Sequence, residues 1–367
     1  MKRILFLIHD LGHGGAEKVL VNLVNNMDRS KFDITVMALF GGGVNEQFLA
    51  KHIRLIVCHK KAIRGNSHIM KLFTPKQLYR YYIKERYDVV ISYLEGPSAR
   101  IISGCDDPDT KLVSWIHCTM HSPAQVGGGF RSVKEAECCY NRMDAMVYVA
   151  GTVRDAFMQN CKYQGSNHVL YNTNESENIL KMSAENTPPP GEGFRWCGVG
   201  KVTENKGFDR MIRIQKRLIE DGCKTHLCIL GDGPQRAELE SLAKSLGVSN
   251  RVTFLGYQTN PYQYVAKCDL FVCASHSEGF STAATEALIV GTPVCTVEVS
   301  GMKEMLGENN EWGIVTENDE DALYQGIKKL LDDPTLLARY KEKAAQRGKM
   351  FSTENTVKAV EEMLLSL

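Results

Sequence analysis

Short apolar runs separated by longer amphipathic stretches recur along almost the whole chain. In the first half they fall at 3–9, 33–39, 55–58, 88–93, 111–117, 145–149 and 168–171, and each reads as a buried strand. The first connection is the clearest helix. Val19, Leu20, Leu23, Val24 and Met27 share one helical face, entered from Gly12-His13-Gly14-Gly15. Strands joined by helices predict a parallel sheet with right-handed crossovers. The pattern lapses between Asn172 and Gly193, where Pro188-Pro189-Pro190 and Gly191-Glu192-Gly193 suit neither element, so a hinge is expected there.

The alternation then starts again. Strands are predicted at 194–198, 225–230, 252–255, 269–273, 293–297 and 313–315, and helices at 208–220 and through Leu239, Leu242, Ala243 and Leu246, ending at Gly247. From 319 onward the chain reads as helices only. At 367 residues it is long enough for two ordinary domains. The expected architecture is α/β: two doubly wound Rossmann-like domains facing across a cleft, with 1–175 and 193–352 joined by a linker at 176–192.

Composition adds limits. With 43% hydrophobic and 24% charged residues the chain is globular in class. Lys2 and Arg3 precede an apolar run, as in a signal peptide, but that run stops at His9-Asp10 and reads as a strand. No run approaches transmembrane length. The 12 cysteines show no CxxC and no metal-ligand spacing, and Cys197, Cys228, Cys273 and Cys295 fall inside predicted strands. This suits a reduced, cytoplasmic protein.

The net charge of +1 conceals an uneven distribution, +5 in residues 1–185 and −4 in the remainder. Between Lys51 and Arg86 ten bases, among them Lys60, Lys61, Arg64, Lys71, Lys76 and Arg80, face the single acid Glu85 in sequence, interleaved with aromatic and aliphatic residues. A solvated helix with buried tyrosines is one reading. Docking to an anionic membrane surface is the other. Nucleic acid is not expected, because no recognition motif accompanies the bases.

Candidate chemistry concentrates in His276 to Val294, HSEGFSTAATEALIVGTPV, which follows a predicted strand and enters a helix. Glu278 and Glu286 lie eight positions apart with Gly279, Phe280, Ser281, Thr282 and Ala283 between them, so small residues present amides in a helix's first turn. Either this is an ordinary capped turn or it is a phosphate site with a carboxylate on each side, as a nucleotide sugar would require. Lys201 and Lys206 flank another strand-to-helix loop and could clamp a diphosphate, or be solvated helix-start residues. Gly231, Gly256 and Tyr257 close neighbouring strands at the same sheet end. In the first half, Gly14-Gly15 puts bare backbone at the end of strand one, although a dinucleotide fingerprint would need glycine where Glu17 stands. His117 ends a strand and is either structural or catalytic. Asp107-Pro108-Asp109 spells a DxD metal signature but lies at the amino end of a strand and reads as a turn.

Taken together, GGAEK, WIH, YN at the hinge, GKVTENKGFD, ILGDGP, FLGY and SEGFSTAATEALIVGTPV with its E-x7-E spacing resemble the bacterial retaining glycosyltransferases of family 4, which have the GT-B fold. The resemblance covers nearly the whole chain. It implies metal-independent, retaining transfer of a hexose or N-acetylhexosamine from a nucleotide-diphosphate sugar, with UDP favoured, to a surface or lipid-linked glycan, with no cofactor. It implies further that Glu278 contacts donor-sugar hydroxyls, Glu286 holds the ribose, Gly14 and Gly15 approach the phosphates, and His117 lies on the acceptor side. Lys206 would act with Glu278 and His117 in catalysis. The helix at 353–367 would cross back to the first domain, and the enzyme would sit peripherally on the inner face of the cell membrane. One departure is Lys201, where the family usually has Arg; lysine keeps the charge and loses the bidentate fork. A nucleotide-sugar epimerase of the same architecture and a non-catalytic subunit of a two-component transferase are the competing readings, and a dinucleotide oxidoreductase ranks behind them.

Overall fold

The computed structural model describes residues 1–12, 14–61, 65–185 and 187–367, which fall into two units, Met1–Asn174 with Thr353–Leu367, and Glu175–Ser352. In the first unit β1 (Lys2–Ile8), β2 (Phe32–Phe40), β3 (Arg54–His59), β4 (Val89–Ser92), β5 (Lys111–Ile116), β6 (Ala145–Tyr148) and β7 (Ser166–Val169) form one parallel sheet in the order β3-β2-β1-β4-β5-β6-β7. In the second, β8 (Phe194–Val199), β9 (Thr225–Leu230), β10 (Val252–Gly256), β11 (Leu270–Cys273), β12 (Val294–Val297) and β13 (Ile314–Thr316) repeat that winding in the order β10-β9-β8-β11-β12-β13. Every strand expected from the apolar runs is present. β7 lies two residues earlier than expected, because it pairs only with β6 and an edge strand accepts the polar Ser166 and Asn167 into the ladder.

The apolar periodicity also finds its partners. Val19, Leu20, Leu23 and Val24 of the Gly15–Asn26 helix are buried, and the second unit's core gathers Ile212, Leu218, Ile229, Leu270 and Val297 with almost no exposure. The stretch expected to carry neither element differs. It holds a helix, Ser176–Ser183, whose Ile179 is buried and whose Met182 carbonyl accepts from Asn260 Nδ2 at 2.9 Å. The polar SEN start reads as loop, yet such residues suit a helix's first turn.

The last helix, Thr353–Ser366, belongs to the first unit and packs on Gly15–Asn26. Glu361 Oε1 there accepts the Asp28 N–H at 2.6 Å. All twelve cysteines are free thiols. Among the described residues no helix is long and apolar enough to cross a membrane.

Candidate functional site

In a doubly wound sheet, ligands bind at the carboxyl ends of the strands beside the point where the strand order reverses. In the second unit β8 and β11 flank that point. Lys206 ends a short 3-10 turn, Glu204–Lys206, after β8, and Glu278 stands five residues beyond β11. Lys206 Nζ lies 2.6 Å from Glu278 Oε1, and Ser275 Oγ donates to the same oxygen at 2.7 Å. Burial alone would lower the ammonium's pKa, but the attraction and hydrogen bond of Glu278 outweigh it and the pKa is raised. The two loops are also tied by a backbone and a side-chain hydrogen bond: His276 N–H donates to Asn205 O at 2.8 Å and Asn205 Nδ2 to Ser277 O at 2.9 Å. Gly207 permits this approach. Its φ is +63°, and a Cβ there would stand 2.1 Å from Ala274 O.

The neighbouring strand ends meet in the same backbone-to-backbone way. Gly231 has φ +136°, a Cβ there would meet Gly200 O at 1.9 Å, and its N–H donates to Gly256 O at 2.8 Å. Tyr257 is 72% exposed. Lys201 is exposed and makes no ion pair among the described residues. The two lysines expected to act alike are therefore different: Lys206 carries a counter-ion and Lys201 does not. Glu278 is only 11% exposed, and Lys206 is the cation that matches its charge there.

The Thr282–Ile289 helix begins at Ser281, whose Oγ accepts the Ala284 N–H at 3.3 Å. Ala284's amide is thus occupied, while the Thr282 and Ala283 amides have no partner among the described residues. Phe280, just after Gly279, is 6% exposed with its ring 5.8 Å from Phe351, which makes it a support for the loop. Glu286 is almost fully buried and accepts from Tyr262 Oη at 3.0 Å. Sequence reading singled out neither Ser275 nor Tyr262. Each is an isolated polar residue with no spacing signal, and only the fold brings it to a carboxylate.

The first unit reverses its order between β1 and β4. Gly14 caps the Gly15–Asn26 helix, and a Cβ on it would lie 1.9 Å from Glu17 Oε2. Glu17's carboxylate thus lies over the helix start expected to approach a phosphate, and burial raises its pKa against the hydrogen bond from its own backbone. His13 lies outside the described residues. His117, after β5, packs its ring 4.8 Å from that of Tyr93, and burial holds its pKa down to about 3 despite a hydrogen bond to the Tyr93 backbone. Its Nε2 is buried without a partner, so Nδ1 holds the proton and donates to Tyr93 O while Nε2 presents a lone pair. His117 N–H donates to Glu95 Oε2 at 3.1 Å, a carboxylate the sequence did not single out.

The basic stretch is less basic when folded. Lys76 and Arg80 both pair with Asp106, at 2.8 and 2.9 Å, and Arg86 spans Asp107 and Asp109 at 2.9 and 2.6 Å. The DxD signature is therefore part of an ion-paired loop. Lys60, Lys61 and Lys71 make no ion pair among the described residues, and Arg64 lies outside them. Among the described residues no three His, Cys, Asp or Glu side chains are grouped to hold a metal.

Comparison with known proteins gives matches along nearly the whole chain. Residues 184–347 match the family described as glycosyl transferases group 1, and residues 13–173 match glycosyltransferase family 4. The N-acetylgalactosamine-N,N'-diacetylbacillosaminyl-diphospho-undecaprenol 4-alpha-N-acetylgalactosaminyltransferase of Campylobacter jejuni is 29% identical over 96% of this chain and 96% of its own. The lipopolysaccharide core biosynthesis glycosyltransferase LpsD of Rhizobium meliloti is 26% identical over 98% and 96%. In fold, HepE of Anabaena, solved in complex with UDP, superposes with a TM-score of 0.77 at 21% identity, covering 100% of both chains.

Proposed function

The chain belongs to the group 1, family 4 glycosyltransferases, and from that premise we propose that it moves a hexosyl or N-acetylhexosaminyl residue from a UDP-linked donor to a hydroxyl of a lipid-linked glycan, with retention and without a metal ion. The observation that carries this reading is the Lys206–Glu278 pair beside the Thr282 and Ala283 amides, at the switch point of the second unit. A leaving nucleoside diphosphate gains charge as its bond to the sugar's anomeric carbon breaks, and fixed cations and amides stabilise that charge in the transition state. Lys201 and Lys206 supply the cations.

In this scheme Glu278 faces donor-sugar hydroxyls and Glu286, oriented by Tyr262, faces the ribose. The acceptor hydroxyl attacks the anomeric carbon on the face the diphosphate leaves, and its proton passes to the departing phosphate oxygen. His117, neutral at pH 7, offers Nε2 to a sugar hydroxyl. The Campylobacter jejuni relative, whose name gives a diphospho-undecaprenol acceptor, supports a lipid-linked acceptor here. Lys60, Lys61 and Lys71 support attachment at the inner face of the cell membrane.

The test is a thermal-shift panel of nucleotide sugars followed by transfer from the stabilising donor to a polyprenyl-diphosphate-linked saccharide. A ligand that binds only the folded state raises its stability by mass action. UDP and one UDP-sugar should raise the melting temperature, and the product linkage should keep the donor's anomeric configuration. If no uridine nucleotide stabilises the protein, or if the donor isomerises with no acceptor present, the proposal is wrong.

A further inference from the structure

An apolar cavity of about 560 Å³ opens in the first unit near the ends of β2 and β3, within the size range of ligand sites, ~300–1,000 Å³. Phe40, Met70 and Leu78 line it as buried side chains, and Ile69, Phe73 and Tyr81 line it while 50%, 47% and 61% exposed. Leu72, in the same loop, is 76% exposed. Exposed apolar loops ordinarily fold inward or move. This one is held outward by two arginines. Arg100, 1% exposed, donates from Nη1 to Met70 O at 2.9 Å and from Nη2 to Phe73 O at 2.7 Å. Arg131 donates to Lys71 O at 2.5 Å and Leu72 O at 3.0 Å. Glu135 pairs with the Arg100 guanidinium and accepts the Arg131 N–H. Burying a guanidinium is costly unless it is fully paired, so four successive carbonyls fixed in this way mark a loop whose shape is specified.

Two further features identify an occupant. Five lysines of the region, Lys51, Lys60, Lys61, Lys71 and Lys84, make no ion pair among the described residues; of these Lys60 and Lys61 come directly after β3 and Lys71 lies inside the pinned loop. An apolar hollow accompanied by unmatched cations is complementary to a hydrocarbon chain ending in an anionic group. A ladder of rings also leads inward from the cavity: Tyr82 to His59 at 5.7 Å, His59 to Phe40 at 5.7 Å, and Phe40 to His9 at 4.9 Å, at the end of β1. The cavity therefore adjoins the strand end from which the Gly14-Gly15 loop departs.

Resting on the glycosyl-transfer reading above, we propose that this cavity binds the first isoprenoid units of the lipid acceptor, with Lys60, Lys61 and Lys71 on its diphosphate. The site selects acceptors by their lipid, independently of the sugar they carry.

The probe is farnesyl diphosphate, titrated into the full-length protein with farnesol and inorganic diphosphate as separate arms. Farnesyl diphosphate should bind at least tenfold more tightly than either. Ile69→Asp/Phe73→Asp, which changes exposed side chains, should weaken it at least tenfold, and Lys60→Glu/Lys61→Glu/Lys71→Glu should weaken it at least as much. UDP-induced thermal stabilisation, measured on each variant, confirms folding and reports separately on donor binding. No binding of farnesyl diphosphate, or equal binding by wild type and Ile69→Asp/Phe73→Asp, overturns the cavity proposal and leaves the transferase reading intact. Binding to phosphatidylglycerol vesicles without binding to farnesyl diphosphate overturns it too, by making the loop a general membrane anchor. Loss of all UDP stabilisation in the wild type would instead count against the transferase reading.

Discussion

Lys206 and Glu278, 72 residues apart in sequence, share a 2.6 Å ion pair between the ends of β8 and β11, with Ser275 donating to the same carboxylate oxygen. The pair couples two loops that the sequence presents as separate motifs. In the proposed scheme an arriving diphosphate shares Lys206 with Glu278, so changing either residue should change how the other meets the donor.

Lys206→Ala should lower kcat by about 10²–10³-fold, the usual effect of deleting a fixed charge donor at a developing anion. Glu278→Gln should lower kcat as well and destabilise the fold by about 2 kcal/mol, since it leaves Lys206 without its counter-ion. Steady-state kinetics and urea denaturation of both single variants and the double variant measure the coupling. Additive effects would mean the pair does not act as a unit.

Glycine 207 is expected to be irreplaceable for a spatial reason. Gly207 and Gly222 both have left-handed backbone, φ +63° and +79°, but a Cβ on Gly207 strikes Ala274 O while nothing lies within 4 Å of one on Gly222. Gly222→Ala should cost about 1–2 kcal/mol, the backbone strain alone. Gly207→Ala should cost clearly more and also depress activity, because the carbonyl it strikes precedes Ser275. Equal destabilisation of the two variants would rule out the close approach.

His117 should make the fold acid-sensitive. Its pKa is lowered from 6.5 to about 3, so between those values the unfolded chain binds a proton that the folded chain refuses, and stability falls as pH falls. Between pH 6.5 and 5 the wild type should lose roughly 2 kcal/mol more than His117→Asn, at about 1.4 kcal/mol per pH unit. Denaturant titrations at several pH values test this. Identical pH profiles would show that His117 titrates normally.

Glu286→Ala should abolish transfer or greatly weaken UDP binding. Tyr262→Phe, which removes one hydrogen bond to a buried carboxylate, should weaken UDP binding by about tenfold, in line with the ~1.5–3 kcal/mol of such bonds. Isothermal titration with UDP compares them, and near-normal turnover by Glu286→Ala would remove the ribose assignment.

Membrane attachment should depend on which lysines are already paired. Reversing Lys60, Lys61 and Lys71 to Glu should abolish salt-sensitive flotation with anionic liposomes, each cation contributing about 1 kcal/mol. Reversing Lys76 and Arg80, both held by Asp106, should have a smaller effect. Unchanged flotation in the first variant would discard the membrane assignment.

The winding of both units was legible in the sequence, because a strand buried on both faces must be a continuous apolar run and a covering helix must repeat its apolar positions every three to four residues. Those are local requirements, visible one segment at a time, and so was the expectation of amides at the start of the Thr282–Ile289 helix. Pairing across distance was not. That Lys206 meets Glu278, that Tyr262 reaches Glu286, and that Asp106 pairs with both Lys76 and Arg80 depend on which loops the sheet order brings together. Of the strip that counted ten bases against one acid, Arg54, Lys76, Arg80 and Arg86 are ion-paired once folded, and Lys60, Lys61 and Lys71 are unmatched beside an apolar hollow. Charge is counted along a chain but balanced in space, so the tertiary structure alone decided which cations remain available to a ligand.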